Sequence, residues 1–109
     1  MKEQERNYPQ ELLELIRWRP DLPVIPMVDS EVVCDEGSAR WLGCWGAARI
    51  DRYVRGEERI YFYDEEDMLE PLWDALDEEE LHSMTVEEAL KAYRRLPWTE
   101  AIVVNIDSL

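Results

Sequence analysis

Apolar positions in this chain follow two rhythms, one near the N-terminus and before the C-terminus, the other in the middle. Leu12, Leu13 and Ile16, with Leu15 flanking, recur at helical spacing and predict a helix through about Trp18. Pro9 suits its first turn after Asn7 or Tyr8, and Pro20 stops it. Asp21 to Val28 carries two prolines, which exclude a helix or a central strand and leave an extended edge segment. Val32 and Val33 form a second short extended piece, and Asp35-Glu36-Gly37-Ser38 reads as a turn.

From Trp41 to Tyr63 the rhythm changes. The stretch WLGCWGAARIDRYVRGEERIYFY concentrates aromatic and β-branched residues around Gly43, Gly46 and Gly56. It predicts strands near Arg40–Trp45, Ala48–Val54 and Glu58–Tyr63. Glycines 43 and 46 mark a bulge or a close approach of other atoms to the backbone. Arg55-Gly56-Glu57 is the expected hairpin turn, with Val54 and Glu58 or near neighbours paired across it, where Gly56→Val lowers stability if Gly56 has φ > 0.

At Asp64 the helical rhythm returns. Asp64-Glu65-Glu66-Asp67 is an N-cap and acidic first turn. Met68, Leu69, Leu72, Trp73 and Leu76 fall on one face, which places Trp73 in the core. Pro71 conflicts with a helix running straight through, and marks either a late start or a kink. Asp77 to Met84 is a link holding His82. Thr85-x-x-Glu88 is a capping box, followed by a face of Val86, Ala89, Leu90, Tyr93 and Leu96 that Pro97 ends. Ala101 to Ile106 is apolar enough for a central strand. The resulting order is α-β-β-β-α-α-β. It is an α+β fold with a mainly antiparallel sheet and two to three helices packed on it, a single domain over residues 1–109 with 1–8 frayed.

Charge changes what this fold is expected to do. The formal net charge is −14, from 26 acidic and 12 basic residues, and 46% of residues are hydrophobic. That apolar content rules out a disordered chain. The charge exceeds the roughly 2–8 units suited to a small domain. It opposes direct binding to nucleic acid and favours a basic protein surface. No apolar run approaches the roughly 18 residues of a membrane span. MKEQERNYPQ has no apolar signal core, so a cytoplasmic protein with reduced Cys34 and Cys44 is expected.

Twelve carboxylates and no Lys or Arg lie between Asp64 and Glu88. An ordinary solvated helix face interleaves cations, because like charges one helical turn apart repel. The candidate partner-binding residues are Glu65, Glu66, Glu70, Asp74, Glu78, Glu79 and Glu87, all off the apolar stripe. Arg40, Arg49, Arg52, Arg55 and Arg59 in the sheet region are expected to line its outer face, pair locally or bridge two copies. Chemistry has few candidates. His82 is the single histidine, and a neighbouring Ser83 does not make a triad. Asp77 with Glu80, or Glu87 with Glu88, would hold a divalent cation only weakly. No catalytic residue, metal site or cofactor is assigned. In an unbulged strand Trp41 and Trp45 share a face, and at least one is expected in the core.

The succession PMVDSEVV, WLGCWG, RIDRYVRGEERIYFY, an acidic helix and LPWTEAIVVNID resembles small acidic proteins of bacteriophages, prophages and other mobile elements. The likeness spans about Pro20 to Asp107 and carries no catalytic motif. It implies an inhibitor of a host system, as in anti-CRISPR proteins that mimic DNA. The charge pattern thus leads to a non-enzymatic binder offering its acidic helices to a basic nucleic-acid site, and the resemblance implies a host defence nuclease, such as a CRISPR nuclease, as the bearer of that site. The rival is an assembly protein that homodimerises through its sheet or Trp-bearing face.

Overall fold

The computed structural model describes residues 6–32 and 40–109. Cys34 and the turn expected at Asp35–Ser38 lie outside the described residues, as does the second valine of the Val32–Val33 piece. The elements are α1 (Tyr8–Trp18), β1 (Val24–Val28), β2 (Cys44–Arg55), β3 (Ile60–Phe62), a 3-10 turn (Glu65–Asp67), α2 (Leu69–Ala75), α3 (Glu78–His82), α4 (Val86–Arg94) and β4 (Thr99–Asp107). The four strands form one sheet in the order β1-β4-β2-β3.

This is an α+β fold, and its sheet is mixed. β2 and β3 run antiparallel, whereas β1 pairs parallel to β4, from Val24 opposite Ile102 to Val28 opposite Ile106. The α+β class is the one expected, and the sheet is mixed rather than purely antiparallel. Parallel pairing needs a long intervening crossover, and here everything from β2 to α4 lies between the two strands in sequence. β1 sits at a sheet edge, as Pro23 and Pro26 require.

The chain divides into two compact units, Met1–Ile50 with Ala101–Leu109, and Asp51–Glu100. In the first, Asn7 caps α1 by accepting from the Gln10 amide at 3.2 Å, with Pro9 in the first turn. Asn7 and Tyr8, expected in a frayed end, are therefore the cap and first residue of the helix. Leu12, Leu15 and Ile16 are half-buried, while Leu13 is exposed. Leu15 replaces Leu13 in the buried stripe because it lies three residues from Leu12. β4 supplies the core: Ala101, Ile102, Val103 and Val104 are fully or almost fully buried. Four consecutive buried residues mean that both faces of this strand are covered, as its unbroken apolar run predicts.

The strands expected at Arg40–Trp45 and Ala48–Val54 are one strand, β2, starting only at Cys44. Gly46 does not break it. A Cβ there would lie 3.0 Å from the Asn105 carbonyl and against the Asp107 carboxylate, so this glycine allows close passage inside a continuous strand. Trp41 is half-buried and Trp45 is 52% exposed, so neither belongs to the fully buried core.

In the second unit Leu72, Leu81, Ala89 and Tyr93 form the core, with Tyr63, Met68, Leu76, Met84, Leu96 and Trp98 packed against it. Tyr63, Tyr93 and Trp98 meet pairwise at centroid separations of 5.0–5.1 Å. Thr85 and Glu88 form the reciprocal capping box of α4. The Asp64 cap starts only the 3-10 turn. α2 begins at Leu69 with Pro71 in its first turn, so the proline marks a late helix start. This shift also corrects the expected helix face. Leu72 and Pro71 are buried, while Leu69 and Trp73, one turn apart, are exposed, Trp73 by 55%. The link expected at Asp77–Met84 contains a further helix, α3, whose Leu81 is buried.

The hairpin lies close to its expected place, in a different register. Arg55 opposes Ile60 and Val54 opposes Tyr61, not Glu58. No glycine among the described residues has positive φ. Gly56 is needed for space: a Cβ there would meet the Asp74 carboxylate and lie 2.6 Å from the Tyr61 ring. No described helix is long and apolar enough to cross a membrane.

Two outcomes follow from this packing. Gly56→Ala is expected to destabilise the protein by about 1–3 kcal/mol through overpacking, measured by urea denaturation. Tyr93→Phe is expected to cost about 1–3 kcal/mol in the same assay, because the Asp64 backbone loses its partner.

Candidate functional site

The acidic segment is held in place by α4. Tyr93 is wholly buried, and its hydroxyl accepts from the Asp64 amide at 2.7 Å and donates to the Asp64 carbonyl at 3.0 Å. The chain entering the carboxylate run is thus fixed through both backbone groups of one residue. From there all twelve carboxylate-bearing residues between Asp64 and Glu88 are exposed. The unit Asp51–Glu100 holds sixteen acidic and six basic residues, a net −10 of the −14 total.

The seven expected contact residues are all exposed, but the structure does not leave them equivalent. Glu65 accepts from Arg94 Nε at 2.9 Å and from the Tyr63 hydroxyl. The Arg94 guanidinium first, and the Tyr63 hydroxyl second, hold its carboxyl at about 2, well below its ordinary 4.5. Glu70 lies 3.4 Å from Arg59. Asp74 accepts from the Glu57 amide at 3.0 Å and from the Tyr61 hydroxyl at 3.1 Å, so it clamps the hairpin loop to α2. Burial first, then this carboxylate, raises the Tyr61 phenol. Glu78 stands 3.7 Å from His82. Among the described residues Glu66, Glu79 and Glu87 make no side-chain ion pair or hydrogen bond. The run itself lacks cations, yet Arg59 and Arg94 reach it from flanking elements, a relief invisible in the local sequence.

The arginines of the sheet region pair locally where contacts are described. Arg52 stacks over the Tyr63 ring at 3.8 Å, and Arg59 lies 5.0 Å from the Tyr61 centroid. His82 is exposed in the last turn of α3, not in a loop. The Ser83 hydroxyl donates to the Glu80 carbonyl at 2.8 Å, which commits it to ending that helix. Glu88 is engaged with Thr85 in the capping box. Among the described residues no three His, Cys, Asp or Glu side chains cluster as a metal site. Cys44 is a half-buried free thiol.

Sequence reasoning missed a groove of about 420 Å³ lined by Arg59, Ile60, Tyr61, Phe62, Asp64, Asp67, Glu70 and Pro71. Its carboxylates are distributed between the 3-10 turn and α2, and only the packing of β3 brings the other wall beside them. No local signal marks it.

The Glu65–Arg94 pair has a defined pH signature. A carboxyl whose folded value is depressed stabilises the fold above its unfolded value near 4.5, and that contribution is lost as pH falls from there toward 2. Arg94→Gln is expected to raise the Glu65 midpoint toward the ordinary range, read by NMR titration of its side-chain carbon. An unchanged midpoint would show that Arg94 is not the cause.

Comparison with protein-family models, with curated proteins and with solved structures finds no match to this chain.

Proposed function

We propose that this protein acts by binding, offering the carboxylates of Asp51–Glu100 to a cationic, nucleic-acid-binding surface of another protein. The carrying observation is that twelve carboxylates in one structured segment are all exposed, on a unit of net charge −10. A field of one sign speeds encounter with a surface of the opposite sign and repels nucleic acid itself. The phage-like resemblance suggests the nucleic-acid channel of a host defence nuclease as such a surface.

Geometry divides the expected contact set by role. Asp74, Glu65 and Glu70 are engaged within the unit, so neutralising them changes stability as well as charge. Of this set, Glu66, Glu79 and Glu87, with Glu78 beside the exposed His82, are engaged by neither a backbone amide nor an arginine, so neutralising them changes charge alone.

A second reading, self-association, is favoured by apolar side chains exposed in the other unit. Leu42 is 80% exposed, Trp18 70% and Trp45 52%. Salt separates the two, because an electrostatic complex weakens as ionic strength rises and an apolar dimer does not.

The test variant replaces Glu66, Glu78, Glu79 and Glu87 together by Gln. It is expected to keep or raise thermal stability, since internal repulsion falls. Each exposed carboxylate contributes about 0–1 kcal/mol to a contact, so only the combined change is decisive. Bacterial DNA-binding proteins held on DNA-cellulose at low salt are challenged with wild type or variant. Wild type is expected to release a defined protein that the folded variant leaves bound. Equal release by both, or none by either, overturns the reading.

A further inference from the structure

The groove beside β3 has a second property besides its charge. Tyr63 N donates to the Arg52 carbonyl at 3.0 Å, and Gly56 N donates to the Arg59 carbonyl at 2.7 Å. Hydrogen-bonded pairs alternate along an antiparallel ladder, so Arg59, Tyr61 and Tyr63 direct their backbone groups at β2. Ile60 therefore turns its N–H and C=O away from β2, and β3 is the last strand of the sheet on that side.

The groove runs along this outer edge. Arg59 and Tyr61 point their side chains to one face of β3, where they meet Glu70 and Asp74. Ile60, between them, points to the other. Residues of both sets line the same groove, as in a groove that follows the strand's outer edge. Its opposite wall is Asp64, Asp67, Glu70 and Pro71. The groove already holds one guanidinium of the chain's own, Arg59, placed 5.0 Å from the Tyr61 ring centre and 3.4 Å from Glu70.

We infer that the edge of β3 is a strand-addition site for an extended segment of a partner protein carrying Arg or Lys at alternate positions. Main-chain bonds form at Ile60, and alternate side chains then face Asp64, Asp67 and Glu70 in the manner of Arg59. A second copy of this chain is the poorer occupant, because it would bring another unit of net charge −10 against these carboxylates. This site rests on the reading of the unit as a binder of basic surfaces and names the form in which the base arrives.

The probe is a short synthetic peptide alternating Arg and Val. Its controls are a peptide of identical composition with the arginines in one block, and the alternating peptide N-methylated on the backbone nitrogens that would face Ile60. Titration is expected to give about tenfold tighter binding for the unmodified alternating peptide than for either control. The Ile60 amide should exchange more slowly in that complex alone. Ile60→Pro, which removes a donor unused by the β2 ladder, should abolish the preference, and the N-methylated peptide tests the reciprocal bond, from the peptide N–H to the Ile60 carbonyl, without altering the protein. Equal binding of all three peptides with no Ile60 protection overturns strand addition and leaves the charge reading standing. No binding by any of them, at low salt, overturns both.

Discussion

The hydroxyl of Tyr93 closes both the N–H and the C=O of Asp64, and the rest of the acidic unit depends on that closure. Asp64 is the point where β3 gives way to the carboxylate run. A chain end there would otherwise carry two part-buried backbone groups without partners, each costly to leave unmade. The ring that bears the hydroxyl is wholly buried and meets Tyr63 and Trp98, and the Trp98 indole donates to the Tyr93 carbonyl at 2.8 Å. One residue of α4 thus joins the hairpin, the start of the 3-10 turn and the segment leading to β4.

With that anchor in place, the unit tolerates its charge through three local devices. Backbone amides take some carboxylates: Asp64 bonds the Glu66 amide, Glu88 the Thr85 amide and Asp74 the Glu57 amide. Two flanking cations, Arg94 and Arg59, take Glu65 and Glu70. The remaining carboxylates point into water, where screening limits their repulsion. The first two devices engage carboxylates within the fold and the third does not. The division between engaged and unengaged carboxylates is therefore set by which backbone amides and arginines lie close by.

The same packing that buries Tyr93 determines what is left outside. Starting α2 at Leu69 turns Leu72 and Pro71 inward and puts Leu69 and Trp73 on the surface among the carboxylates. A Trp amid charge is a common form of binding anchor, since it contributes apolar area where charge contributes attraction. β3 is short and terminal, so a groove remains along its edge instead of another strand.

Sequence alone determined those features that depend on near neighbours. Pro23 and Pro26 confine β1 to an edge whatever surrounds it, Thr85 and Glu88 make a capping box within four residues, and the apolar run from Ala101 demands burial on both faces. The α+β class and the concentration of exposed acid between Asp64 and Glu88 follow from such local patterns. Tertiary structure decided whatever depends on residues distant in sequence. The parallel pairing of β1 with β4, the merging of two expected strands into β2, and the exposure of Trp73 all turn on which elements meet. Gly56 illustrates the difference: its need for a missing side chain comes from Asp74 and Tyr61 pressing on it, not from its own φ. The candidate site divides in the same way. Its charge was legible because charge is a property of composition, whereas its groove and its occupied carboxylates were not, because a residue's partners are fixed only once the chain has packed.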